Sequence, residues 1–102
     1  MFIETLKDHN GLVYSYICWE VIGQNGLPKK DGEFIYIDEI WLHDWYSRAL
    51  GIFKILNLFI PRILSHRMSQ NAKYVSWHND KRDRNVNYNL HKFIKGDKYG
   101  RR

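Results

Sequence analysis

The sequence predicts an α/β domain in the broad, α+β sense, with a mixed, mostly antiparallel central sheet flanked by helices. Three observations carry that expectation. Glu33 to Leu42 (EFIYIDEIWL) alternates like a strand. Leu50, Phe53, Leu56, Ile60 and Ile63 then recur at three- and four-residue steps, the helical signature, and Tyr74 to Trp77 (YVSW) returns to strand chemistry. A strand–helix–strand unit late in the chain favours a mixed sheet built around a crossover.

The elements follow in order. Met1 to Lys7 reads as a short strand, and Asp8-His9-Asn10-Gly11 as a turn. Leu12 to Ile22 places Val13, Ile17, Trp19 and Val21 on one face and Leu12, Tyr14, Tyr16, Cys18 and Ile22 on the other. Apolar residues on both faces predict a strand covered on both sides. Gly23 to Gly32 (GQNGLPKKDG) is a loop, longer than a tight hairpin needs.

Within Glu33 to Leu42, strict alternation puts Ile35, Ile37, Glu39 and Trp41 on one face and Phe34, Tyr36, Asp38, Ile40 and Leu42 on the other. Each face then receives one carboxylate. Burial without a partner costs several kcal/mol or shifts the pKa upward, so both should reach water or a basic partner near the strand end.

The helical period runs from Ser47 to about Gln70, and Pro61 either kinks one helix or starts a second. Arg84 to Phe93 reads as a helix and Phe93 to Tyr99 as a last strand, giving the order β-β-β-α-β-α-β.

With 102 residues the chain is read as one domain, 1–102. Its 16% aromatic and 26% charged residues argue against disorder. A lone Cys18 excludes an internal disulfide and the usual cysteine zinc sites, and five histidines (9, 43, 66, 78, 91) lack paired spacing, so no metal is expected. No run approaches the roughly 18–20 apolar residues of a membrane span, and the first residues lack a basic-then-apolar signal pattern, which points to a cytoplasmic protein without membrane contact. Neither a Gly-x-Ser-x-Gly elbow nor a Walker-type loop is present.

The net charge of +5 is unevenly placed. Residues 73–102 carry nine Lys/Arg against three acids, whereas residues 1–72 carry seven against eight. A basic C-terminal third attracts polyanions, nucleic acid among them, or is simply a solvated tail. Trp77-His78 followed by Lys81, Arg82 and Arg84 mixes aromatic and basic groups as single-strand binders do, and a core role explains Trp77 equally well.

Ser47 is a good capping type, and a turn that opens a helix presents unpaired amides and the positive end of its dipole, which suits a pyrophosphate. Gly51 permits close backbone approach, and Arg48 adds a charge-assisted bond. The same residues also read as an ordinary helix start, with Gly51 costing about 1 kcal/mol.

The segment Ile37 to Leu56 (IDEIWLHDWYSRALGIFKIL) resembles the GNAT superfamily of N-acetyltransferases. In that family a strand ends in an apolar residue, polar residues with an aromatic follow, and an Arg/Gln-x-x-Gly-x-Gly/Ala turn opens a helix. Here Trp41-Leu42 ends the strand, Tyr46 supplies the aromatic, and Arg48-Ala49-Leu50-Gly51-Ile52-Phe53 occupies the turn. Arg48 and Gly51 match, while Phe53 stands where the family has a second Gly or Ala. Tyr88-Asn89-Leu90-His91-Lys92-Phe93 resembles the late-helix pattern, a Tyr five residues before a Phe. The resemblance spans about Leu12 to Tyr99 and implies a minimal version of the fold without its two early helices.

The resemblance implies acetyl-coenzyme A as cofactor and an amine as acceptor, whether a small molecule, a protein lysine or an N-terminus. It gives cofactor contacts to the backbone of Ile40, Trp41 and Leu42 and to the turn Ser47, Arg48, Ala49, Leu50, Gly51, Ile52 and Phe53. Tyr88 would protonate the departing thiolate. Amine attack needs a base, because a lysine amine with a pKa of about 10.4 is protonated at neutral pH. Glu39 is the first candidate and His43 the second, its ordinary pKa lying near 6.5. The rival expectation is a catalytically inactive basic module that binds nucleic acid or a protein partner. An uncovered sheet edge or apolar helix face would make that partner a second copy, giving a homodimer.

Overall fold

The computed structural model describes residues 1–43 and 52–90, without the side chains of 52 and 53. Its strands are β1 (Phe2–Lys7), β2 (Val13–Ile22), β3 (Phe34–Leu42), β4 (Tyr74–Asn79) and β5 (Arg84–Asn89). Helix α1 (Ile52–Leu64) and a single 3₁₀ turn (Arg67–Ser69) lie between β3 and β4. The strands form one mixed sheet in the order β1-β2-β3-β4-β5. Every neighbouring pair is antiparallel except β3 and β4, which the connection through α1 leaves parallel. The architecture is α+β.

Helix α1 forms because its apolar residues return once per turn. Ile55, Leu56, Phe59, Ile60 and Ile63 are all buried, while Lys54, Leu58, Pro61 and Arg62 face outward. The buried stripe packs on Ile17, Trp19, Val21, Ile35, Ile37 and Val75 from one face of the sheet. Each such side chain contributes about 1.5–3 kcal/mol on leaving water. Pro61 lies within one helix and starts no second, and the helix ends where the Ser65 amide and hydroxyl turn back to the Pro61 and Arg62 carbonyls. Arg62 ties the helix to the sheet edge by donating to the Thr5 carbonyl at 2.9 Å.

Both faces of β2 were expected to be covered. The helix covers one; among the described residues no helix lies over the other, although Cys18 and Ile22 on that side are only 9% exposed.

Strand β3 departs from strict alternation. Glu39 is opposite Cys18 and Ile37 is opposite Trp19, so Asp38 is the extra residue of a β-bulge. Before it, Ile35 and Ile37 face the helix; after it, Ile40 and Leu42 do. The expected division of one carboxylate per face is therefore corrected. Asp38 and Glu39 both turn to the helix-free face, where both remain exposed.

The second correction concerns residues 84–93. Instead of a helix, Arg84–Asn89 forms β5, paired from Tyr74↔Asn89 to Asn79↔Arg84. Val86 and Tyr88 face inward and Asn85, Asn87 and Asn89 outward, a two-residue period. A turn with Asp83 at φ 49° returns the chain along β4. The strand expected at 93–99 lies outside the described residues.

Candidate functional site

The parallel pair β3–β4 runs only from Phe34↔Tyr74 to Ile37↔Trp77. At the next residue β3 bulges, and from there it pairs with β2 alone among the described strands. The two strands part, and a cleft of about 280 Å³ opens between them. Ile37, Ile40, Leu56 and Trp77 give it an apolar floor, and Asp38, Glu39, His78 and Asp80 stand around its rim.

The backbone of β3 contributes to this cleft. The His43 amide donates to the Tyr14 carbonyl at 2.9 Å, and the Ser15 hydroxyl donates to the Trp41 carbonyl at 2.7 Å. Residues 41 and 43 thus turn their main-chain groups toward β2. Strand geometry then turns the amides of Ile40 and Leu42 to the opposite edge, where β4 has left the ladder. An unpaired amide there is a donor for a ligand oxygen.

Three carboxylates crowd the helix-free face. Tyr16 donates its phenolic hydrogen to Glu39, and its ring stacks on Trp41 at 5.6 Å. The hydrogen bond to Glu39 holds the Tyr16 phenol above its ordinary pKa, with partial desolvation adding to the effect. Asp38 shares a hydrogen bond with Glu20, the β2 residue opposite Tyr36. Partial desolvation pushes Asp38 up to about 6, and the hydrogen bond and charge of Glu20 push the same way. Cys18 lies among these groups; burial raises its thiol, and Glu39 and Asp38 add to the rise. A thiol so placed is a poor nucleophile, in keeping with its reading as a small buried hydrophobe.

The structure separates the sequence-derived candidates. Glu39, Ile40 and the rim of the cleft come together, whereas His43 is exposed at the end of β3, its ring edge-on to Trp41 at 6.3 Å. Tyr88 stands on a strand and not on the expected helix; it is half-buried and stacked on Trp77 at 5.1 Å, so Trp77 connects it to the cleft. Trp41 is 39% exposed beside Tyr16, and Leu42 packs against the core. Ser47, Arg48, Ala49, Leu50 and Gly51 lie outside the described residues. Ile52 and Phe53 are helical in backbone.

Asp80 is not marked by the sequence reading, which takes His78 only as part of an aromatic and basic run; both stand on the rim of the cleft. The His78 Nε2 lies 3.3 Å from Asp83 and 3.8 Å from Asp80, and Nδ1 lies 3.2 Å from Asn85. Reading Arg84–Asn89 as a strand would have revealed them, because the resulting hairpin alone brings residues 78, 83 and 85 together. Among the described residues, no group of three or more His, Cys, Asp or Glu is arranged to hold a metal ion, and no helix is long and apolar enough to cross a membrane. The chain matches no known family model and no curated protein.

Proposed function

We propose that the chain binds acetyl-coenzyme A at the parting of β3 and β4 and transfers its acetyl group to an amine. The observation that carries this reading is the bulge at Asp38 together with the end of pairing at Ile37↔Trp77. Together they leave a ligand-sized cleft beside amides with no strand partner among the described residues. Bulges are over-represented beside active sites because they end pairing and re-aim side chains. The residues fit the group: an apolar floor of Ile37, Ile40, Leu56 and Trp77 suits an acetyl-bearing thioester arm, and the Ile40 amide suits its carbonyl oxygen.

Acetyl-coenzyme A supplies a carbonyl activated by a good leaving thiolate. In this reading the Ile40 amide donates to the carbonyl oxygen as that oxygen gains charge. Glu39 accepts the proton that the ammonium form must lose, directly or through water. The nitrogen–carbon bond forms, the carbon–sulfur bond breaks, and a proton ends on the thiolate to leave free thiol and amide. Tyr88 is retained as the candidate donor of that proton, with His43 second to Glu39 as base. The stretch from Ser47 to Phe53 is proposed to hold the diphosphate.

Purified protein incubated with acetyl-coenzyme A and a panel of amines tests the reading by release of free thiol. Release above the hydrolysis background that falls at least about tenfold in Glu39→Gln supports it, general acid–base groups being worth about 10²–10⁴ in rate. No thiol release with any amine, and no binding of coenzyme A, contradicts it.

A further inference from the structure

We propose that the helix-free face of the sheet is an acceptor site for a short aliphatic diamine, one nitrogen held in a hollow beside Glu20 and the other placed at Glu39 on the rim of the cleft. The choice of which nitrogen reacts rests on the acetyl-transfer reading; the binding itself does not.

The hollow, of about 450 Å³, lies beside the β2–β3 loop and is walled by Glu20, Phe34, Tyr36, Ser76, Asn85 and Asn87. Its chemistry suits an ammonium group. Glu20 offers a carboxylate, Ser76 and the two amides offer further acceptors, and the rings of Phe34 and Tyr36 offer π-faces. Phe34 is held in place by stacking on Tyr74 at 5.0 Å.

Charge placement favours a cation over an anion. The protein carries 16 Lys and Arg and a net charge of +5, yet among the described residues no Lys or Arg lines the hollow or the cleft. The two concavities are lined instead by Glu20, Asp38, Glu39 and Asp80. These carboxylates repel a phosphate or carboxylate group placed beside them, whereas a cation is drawn in.

Geometry sets the length. Tyr36, opposite Glu20 on the wall of the hollow, and Asp38, on the rim of the cleft, lie two residues apart on β3 and so join hollow to cleft. Glu39 pairs with Cys18, two residues from Glu20 along β2. Two strand residues span about 7 Å and the neighbouring strand lies about 5 Å across, so Glu20 and Glu39 stand about 8–9 Å apart at the backbone, and a short aliphatic diamine bridges carboxylates at that separation.

The test is titration of putrescine into the full chain, without coenzyme A, followed by calorimetry and by amide chemical shifts, with butylamine as the single-charge comparison. Saturable putrescine binding is expected, with the side-chain amides of Asn85 and Asn87 shifting. Butylamine should bind at least tenfold more weakly, and so should putrescine to Glu20→Gln. Because Glu20→Gln removes a contact with Asp38, Tyr36→Leu serves as a second variant and should also weaken binding at least tenfold. Absent binding, equal affinity for butylamine, or unchanged affinity in both variants overturns the proposal. Coenzyme A binding without putrescine binding removes only the diamine site; putrescine binding without coenzyme A binding removes only the transferase reading.

Discussion

The Tyr16 phenol on β2 donates to the Glu39 carboxylate on β3 across the helix-free face, which fixes the candidate base at the rim of the cleft. The bond favours the neutral phenol, because ionisation would set two negative charges side by side. Replacing Glu39 by Gln should move the Tyr16 titration down toward its ordinary value. Difference titration of phenolate absorbance between the two proteins measures this. Superimposable curves would show that the bond does not form in solution.

Asp38, partly desolvated and beside Glu20, carries a pH dependence of definite sign. Asp38 is raised to about 6 in the folded state, against about 3.9 for a free aspartate. The folded state therefore holds more protons between those values. The stabilisation is complete below about pH 4 and is lost as pH rises through 6. Partial desolvation, then the hydrogen bond and charge of Glu20, raise this group, and the Met1 amino group lowers it. Because Asp38 is largely exposed, screening limits the effect to about 1 kcal/mol or less. Urea unfolding should show Asp38→Asn gaining on the parent between pH 4 and pH 7. An offset that is the same at both values contradicts the assignment.

Phe59 is fully buried at the centre of the helix–sheet interface. Phe59→Ala should cost about 3–5 kcal/mol, a large share of the roughly 5–15 kcal/mol of a typical domain. Denaturant unfolding reads this directly. A loss under about 1 kcal/mol would mean that α1 does not pack as described.

Tyr88 and Trp77 stack across β4 and β5, so Tyr88→Phe keeps the ring contact and removes only the hydroxyl. Turnover should fall at least about tenfold while coenzyme A affinity stays within about twofold. An unchanged rate removes Tyr88 from the mechanism.

Strands β1 to β4 and the helix were legible because each displays its period plainly. The bulge was legible only in a subtler sign. The inward apolar residues are odd-numbered at Ile35 and Ile37 and even-numbered at Ile40 and Leu42, so the phase slips by one across Asp38-Glu39. Strict alternation conceals that slip. In β5 the Asn85-Val86-Asn87-Tyr88-Asn89 pattern has a two-residue period, but three asparagines make it a weak strand by composition. Pairing with β4 supplies what propensity does not. The cleft could not be read locally at all, since it exists only where two strands distant in sequence stop pairing.

Thermal unfolding with increasing acetyl-coenzyme A tests the central claim most directly. A ligand seated at the parting of β3 and β4 should raise Tm saturably, by about 10 °C at a hundredfold excess over Kd, which corresponds to about 2.7 kcal/mol. No shift at millimolar acetyl-coenzyme A would contradict the account.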